Sequence, residues 1–250
     1  MTRDRQPGAG PVATGRRAAL EAVRAGRAFR VLVAAGSRAT PSMRDLLEAS
    51  ARAGVRVEEV ERAALDRMAE DHHGVAVELR PAPALGERDL STFPFGDEDV
   101  VVVLDGITDP HNLGAAARSA EAAGVAMLVS RIRRAAPVTP AAVRASAGAL
   151  LHLPHTRVAN LARALDRLRD RGFTVVGLDE QAPADVYAEP CADGRVALVL
   201  GSEGEGLSRL VRERCDLLVR LPMRGSVSSL NVSASLAAAL FAYVLPSRRG

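Results

Sequence analysis

Three polar segments could do chemistry in this chain, and each stands where an apolar run stops. The first, DGITDPHNLGAAARS, runs from Asp105 to Ser119 and follows VVVVL. The second, GSEGEG, runs from Gly201 to Gly206 and follows VALVL. The third, LPMRGSVSSLNVSAS, runs from Leu221 to Ser235 and leads into a helical run rich in Ala and Leu. In an open α/β sheet, ligands sit beyond the carboxyl ends of strands. All three segments occupy that position.

Each segment offers a different chemistry. In the first, Asn112 reads as a helix N-cap. Arg118 follows less than two helical turns later, close enough to act near the same loop. His111 either lines a site or caps backbone. In the second, the glycine spacing is G-x-x-G-x-G, which is not the dinucleotide pattern, and no P-loop Lys is present. Glu203 and Glu205 would repel the phosphates that a helix N-terminus attracts. NAD and ATP are therefore disfavoured, and a cationic cofactor without phosphates suits the loop. S-adenosylmethionine, a sulfonium, meets both conditions. In the third, Ser228, Ser229 and Asn231 supply more short polar groups than a helix cap requires, which points to a site.

The elements that must position these loops alternate along the chain. Residues 1–14 are rich in Gly, Pro and Arg and are expected to be a disordered tail. GRRAALEAVRAG, SMRDLLEASARAG and ERAALDRMAE read as helices; FRVLVAA, VRVEEV and GVAVELR read as strands. Together they predict a small α/β domain over 15–80. Residues 81–98 carry Pro, Gly and charge without periodicity and read as a linker. From 99 to 250, strand-like VVVVLD, VAMLVS, LLHLPH, FTVVGLD, VALVLG and DLLVRLP alternate with helical AAVRASAG, NLARALDRLRDRG and LSRLVRERC. Continuous apolar strands between amphipathic helices predict a mostly parallel sheet covered on both faces.

Composition narrows the function classes. Aromatics make up 3% of the 250 residues and Trp is absent, so nucleic-acid binding cannot rest mainly on stacking platforms. All 33 basic residues are Arg, a side chain suited to phosphate forks. Nine Arg face two acidic residues over 1–44, whereas six Arg face fourteen over 45–99. The basic front end points to a polyanionic partner. The N-terminus has no secretory signal pattern and no apolar run reaches the ~20 residues of a membrane helix. Cys191 and Cys215 match no zinc or CxxC spacing and suit a reducing cytoplasm. A bound metal is not expected.

The three segments, in this order, resemble the motifs of the SpoU-type RNA ribose methyltransferases of the SPOUT class. The match rests on Asp109 to Ala115 with Arg118, on Gly201 to Gly206, and on Pro222-Met223 with Gly225 to Ser233. Gly15 to Ala22 and His72 to Val75 resemble the signatures of the L30e-like substrate domain of the 23S rRNA guanosine 2′-O-methyltransferase subfamily. Arg17 and His73 depart from the usual residues. The resemblance implies a catalytic α/β domain with a deep trefoil knot, a homodimer, and S-adenosylmethionine as methyl donor. It implies that Gly201, Leu221 and Leu230, with Leu200, contact that cofactor, and that Gly206 lets the loop approach it closely. It places Arg118 beside the acceptor hydroxyl, Ser229 and Asn231 around it, and Asn112 with Glu203 as a supporting pair. A guanidinium keeps its proton, so Arg118 is assigned charge stabilisation. Large-subunit rRNA is the expected substrate. A tRNA or antibiotic-resistance methyltransferase is the alternative within the family, and a non-catalytic RNA-binding assembly factor the alternative outside it. His72, His152 and His155 read as structural.

Overall fold

The computed structural model describes residues 12–38, 40–69, 71–80, 85–226 and 229–248. It divides into two units, one of Met1–Pro83 with Val138–His152, the other of Ala84–Pro137 with Leu153–Gly250.

In the first unit the elements are β1 (Val12–Thr14), α1 (Arg16–Arg24), β2 (Ala28–Ala34), α2 (Pro41–Arg52), β3 (Arg56–Val60), α3 (Arg62–Asp66) and β4 (Val75–Leu79). The strand order is β1-β4-β2-β3, with only β2 and β3 parallel. The tail expected over 1–14 ends earlier than its composition suggests, because Val12–Thr14 pairs with β4; residues 1–11 lie outside the described residues. Thr40 caps α2 by accepting from Met43 N, with Pro41 at the first helical position. His72 is structural: its Nδ1 accepts from Gly74 N at 2.9 Å and its Nε2 meets Asp66 at 2.8 Å.

One segment from later in the chain packs with this unit. AAVRASAG forms helix α5 (Pro140–Ala145), capped by Thr139. Arg144 Nη1 donates to Thr14 Oγ1 at 2.6 Å, and His152 Nε2 lies 3.4 Å from Glu21. LLHLPH, expected as a strand, instead starts in a 3-10 turn, Ala149–Leu151. Gly148 breaks the chain before it with φ +96, and a Cβ there would lie 2.7 Å from that of Glu21. The apolar run reflects burial rather than strand geometry.

The second unit holds β5 (Val100–Leu104), α4 (Pro110–Ala122), β6 (Met127–Arg131), β7 (His155–Val158), α6 (Leu161–Asp170), β8 (Thr174–Leu178), β9 (Ala184–Asp185), β10 (Val196–Leu200), α7 (Arg209–Arg212), β11 (Leu217–Arg220) and α8 (Val232–Ala239). The sheet order is β7-β6-β5-β10-β8-β11-β9, and every pairing is parallel. All five residues of β5 and of β10 are buried, as continuous Val and Leu runs covered on both faces require. Of the segment read as a linker, the described residues 85–98 pack on this unit. Leu90 is fully buried, and Phe95 meets Phe173 edge-on with ring centroids 4.9 Å apart. α8 runs into a π-helical turn, Leu240–Val244. Among the described residues no helix is long and apolar enough to cross a membrane.

β7 carries a pH-sensitive contact. His155 Nε2 lies 2.8 Å from Ser130 Oγ on β6. Burial, with a smaller push from Arg157, lowers its pKa from 6.5 to about 4. The folded state therefore holds a neutral imidazole where the unfolded chain would take up a proton. This contribution is fully present above pH 6.5 and is lost as pH falls toward 4, at no more than about 1.4 kcal/mol per pH unit. Urea midpoints measured at pH 7.5 and pH 5 should fall more steeply for the native chain than for His155→Gln. Equal slopes would show that His155 is not the group responsible.

Candidate active site

Helix α4 starts at Asp109, not at Asn112. The Asp109 carboxylate accepts from His111 N at 2.9 Å and Pro110 fills the first helical position. Proline there has no N–H to leave unpaired and is already bent for a helix, so the start moves three residues upstream of the expected cap. That frees the Asn112 side chain. Its Nδ2 donates to Glu203 Oε1 at 3.5 Å and its Oδ1 accepts from Asn231 Nδ2 at 3.1 Å.

Asn231 joins both. Its Nδ2 also donates to Glu203 Oε1 at 2.5 Å. Its Oδ1 accepts from Ser233 N and Ser233 Oγ, at 3.0 and 2.6 Å, which makes it the N-cap of α8. Val232 N donates to Glu203 Oε1 at 3.4 Å. The Glu203 carboxylate thus sits at the amino end of α8, where helix N–H groups and dipole favour negative charge. The expected pair of Asn112 and Glu203 is a trio that ties all three loops together.

The glycine loop closes on itself. Ser202 N donates to Gly206 O at 3.2 Å and Gly206 N returns to Ser202 O at 3.0 Å. At Gly201 the two arms touch: a Cβ there would lie 2.0 Å from Gly206 C and 2.2 Å from its O. A second anchor holds the loop's far end. Asp105, 3% exposed, accepts from Ser208 N at 2.8 Å and pairs with Arg131 at 2.7 Å. Arg131 also donates to Ser208 Oγ at 3.0 Å.

A cavity of about 260 Å³ opens beside this loop. Leu200, Gly201, Gly206, Leu221 and Leu230, the residues expected to hold cofactor, all line it, as do Glu203 and Ser229. Leu230 is 41% exposed at its edge. Val227 and Ser228 lie outside the described residues. Arg118 does not line the cavity. It is exposed on α4, and its guanidinium forms no hydrogen bond or ion pair among the described residues. The His111 side chain is likewise exposed. Asp179, Glu180 and Gln181, which follow β8, also line it. They went unseen because their loop carries no glycine, although the strand-end rule covers them. Asp179 is held by Arg212 at 2.6 Å.

These residues fit S-adenosylmethionine. Leucines supply apolar walls, Gly206 leaves backbone bare at the cavity, and Glu180, Glu203 and Glu205 give the lining negative charge, which suits a sulfonium.

Comparison with known proteins identifies the family. Residues 99–243 match the SpoU rRNA Methylase family, and residues 12–85 match RNA 2′-O ribose methyltransferase substrate binding. The protein belongs to the SpoU rRNA methylase family. It is 44% identical over 191 residues, 75% of this chain and 78% of the relative, to the 23S rRNA (guanosine-2′-O-)-methyltransferase RlmB of Photobacterium profundum. It is 41% identical over 207 residues, 82% and 83% of the two chains, to the RlmB of Pseudomonas putida. Among solved structures, the SpoU methyltransferase AviRb from Streptomyces viridochromogenes, in complex with AdoMet, superposes with a TM-score of 0.79. That pair is 29% identical, and the match covers 96% of this chain and 91% of the other.

Gly201→Ala should disable the cavity without unfolding the sheet. The added methyl must push the Gly206 arm away. Calorimetry should show cofactor affinity lost, with far-UV circular dichroism kept. Undiminished affinity would show that the close approach is dispensable.

Proposed function

We propose that this protein transfers a methyl group from S-adenosylmethionine to the ribose 2′-hydroxyl of a guanosine in large-subunit (23S) rRNA. The observation that carries the reading is the junction of three loops at Glu203, beside a glycine-walled, acid-lined cavity. Relatives named for this reaction on 23S rRNA, over most of the chain, support the substrate.

The cofactor, when bound, supplies a methyl group on a good leaving group. Leu200, Gly201, Gly206, Leu221 and Leu230, which line the cavity, would hold it. Asn112, Glu203 and Asn231 fix the three loops against one another, and so would hold the cofactor-lining loops in place against the first loop. Alignment of this kind can contribute up to ~7–11 kcal/mol. Ser229, on the cavity wall, orients the hydroxyl, and Asn231, whose amide is engaged by Asn112, Glu203 and Ser233, acts by fixing the loop that carries Ser229. Arg118, exposed and unpaired, is available to stabilise the developing alkoxide and the neighbouring phosphate. We read the protein as a cytoplasmic homodimer whose sites form near the subunit interface. Half-exposed Phe241 in the C-terminal helical segment supports this. We also read the segment as knotted, which would hold the second and third loops at one cavity. Residues 15–80 serve as the rRNA-binding domain in this reading, with 99–250 catalytic.

The test is methyl transfer from labelled cofactor to large-subunit rRNA that lacks its ribose methyls, followed by mapping of the product. One 2′-O-methylguanosine is expected. Transfer to tRNA alone would overturn the substrate. No transfer to either, with no cofactor binding, would leave a non-catalytic RNA-binding factor. Arg118→Ala should abolish transfer while calorimetric cofactor affinity survives; turnover near the native rate would remove Arg118 from the mechanism.

A further inference from the structure

The carboxyl edge of the seven-stranded sheet is divided by charge. Beyond β8 and β10 stand Glu180, Glu203 and Glu205, all lining the cavity, with Asp179 there paired to Arg212. On the other side of β5, beyond β6, the chain reads Arg131-Ile132-Arg133-Arg134. Arg131 is committed to Asp105. Arg133 and Arg134 are exposed, and neither guanidinium forms a hydrogen bond or ion pair among the described residues.

The turn that carries them is held at several points. Ile132 N donates to Val158 O at 2.9 Å, and Arg157 Nη2 donates to Ile132 O at 2.8 Å. Ala136 N donates to Ile107 O, in the first loop, at 2.7 Å. Arg134 adopts φ +55, in the left-handed region that L side chains seldom take. Such conformations persist where the surroundings over-determine them, and they gather at functional sites. Ile132 is 52% exposed between the arginines. A pinned turn thus presents two free guanidiniums and an apolar side chain at the end of the strand that pairs with β5, whose own end begins the first loop.

We propose that Arg133 and Arg134 form a phosphate-binding site for the RNA backbone next to the target nucleotide, with Ile132 against the adjoining ribose or base. The proposal rests on the methyltransferase reading for the identity of the RNA. Guanidinium forks match phosphate oxygens, and the division of charge keeps the polyanion off the acid-lined cofactor cavity while leaving it beside the first loop.

The test is R133A/R134G in the full-length chain. Glycine suits the left-handed backbone at 134, so the melting temperature should hold. Affinity for transcribed large-subunit rRNA should fall on the order of ten-fold at physiological salt. The slope of log affinity against log salt should flatten by roughly 1.5, because each phosphate contact contributes about 0.7–0.9. The KM for rRNA should rise, cofactor affinity should not change, and R133K/R134K, which keeps the charge but not the fork, should restore the salt slope and only part of the affinity. Unchanged RNA affinity, salt slope and KM in R133A/R134G would overturn the phosphate site and leave the methyltransferase reading intact. A native chain that binds rRNA through these arginines yet transfers no methyl group would do the reverse.

Discussion

Asp105 is a carboxylate that water scarcely reaches, at the end of the central strand β5. Burying a charge is tolerable only when it is paired and hydrogen-bonded. Both oxygens of Asp105 are used, one by Arg131 from β6 and the other by the backbone of Ser208 beyond β10. Removing one partner of a buried pair typically costs about 3–5 kcal/mol. Three adjacent strand ends are therefore locked in register by one side chain. The glycine loop between β10 and Ser208 inherits that lock at one end, and the turn after β6 inherits it at its start.

The other tie on the same loop is of a different kind. Glu203 gathers two side-chain amides and a helix N–H, all neutral donors. Among the described residues no opposite charge pairs with it. The amino end of α8 compensates in part, since dipole and unpaired N–H groups both favour an anion there. A negative site held by neutral donors keeps its field, and a cationic ligand nearby would feel it. Asp105, cancelled by Arg131, fixes position and little else. The loop is thus clamped by one neutralised carboxylate and one that stays electrostatically active. Between the clamps, Gly201 and Gly206 touch so closely that no side chain would fit at Gly201.

What could be read from sequence follows from how local each feature is. β5 and β10 were legible because a strand buried on both faces must be apolar throughout. The three loops were legible because Gly, Asn, Ser and Glu in such density serve no core. The cap of α4 was misjudged by three residues, since Asn112 and Asp109 are both capping residue types and the choice falls to Pro110. The tie among Asp105, Arg131 and Ser208 spans 103 positions from Asp105 to Ser208 and needs three strands in register, so no window of sequence contains it. Asp179 to Gln181 were hidden for the same reason: their role comes from β8 lying beside β10, not from their own pattern. The packing of Val138–His152 with the first unit was beyond a linear reading of domains, because Arg144 and Thr14 are 130 residues apart.

The parallel sheet explains why so much converges on one edge. When every strand runs the same way, every strand's carboxyl end opens on the same side, and each loop there is a separate position for a functional group. Neighbouring loops can then differ in charge, because the strand order sets which loop stands beside which. Here that order puts acidic side chains on the β10 and β8 side and unpaired arginines on the β6 side, with Asn112 and the start of α4 between them. A net charge of +3 conceals this arrangement. On the proposed reading, a cationic donor and a polyanionic acceptor must meet at one point without exchanging places. A uniformly basic edge would hold the RNA and repel the sulfonium, and a uniformly acidic one would do the opposite. Only a divided edge admits both, and the division falls at β5, where the first loop begins.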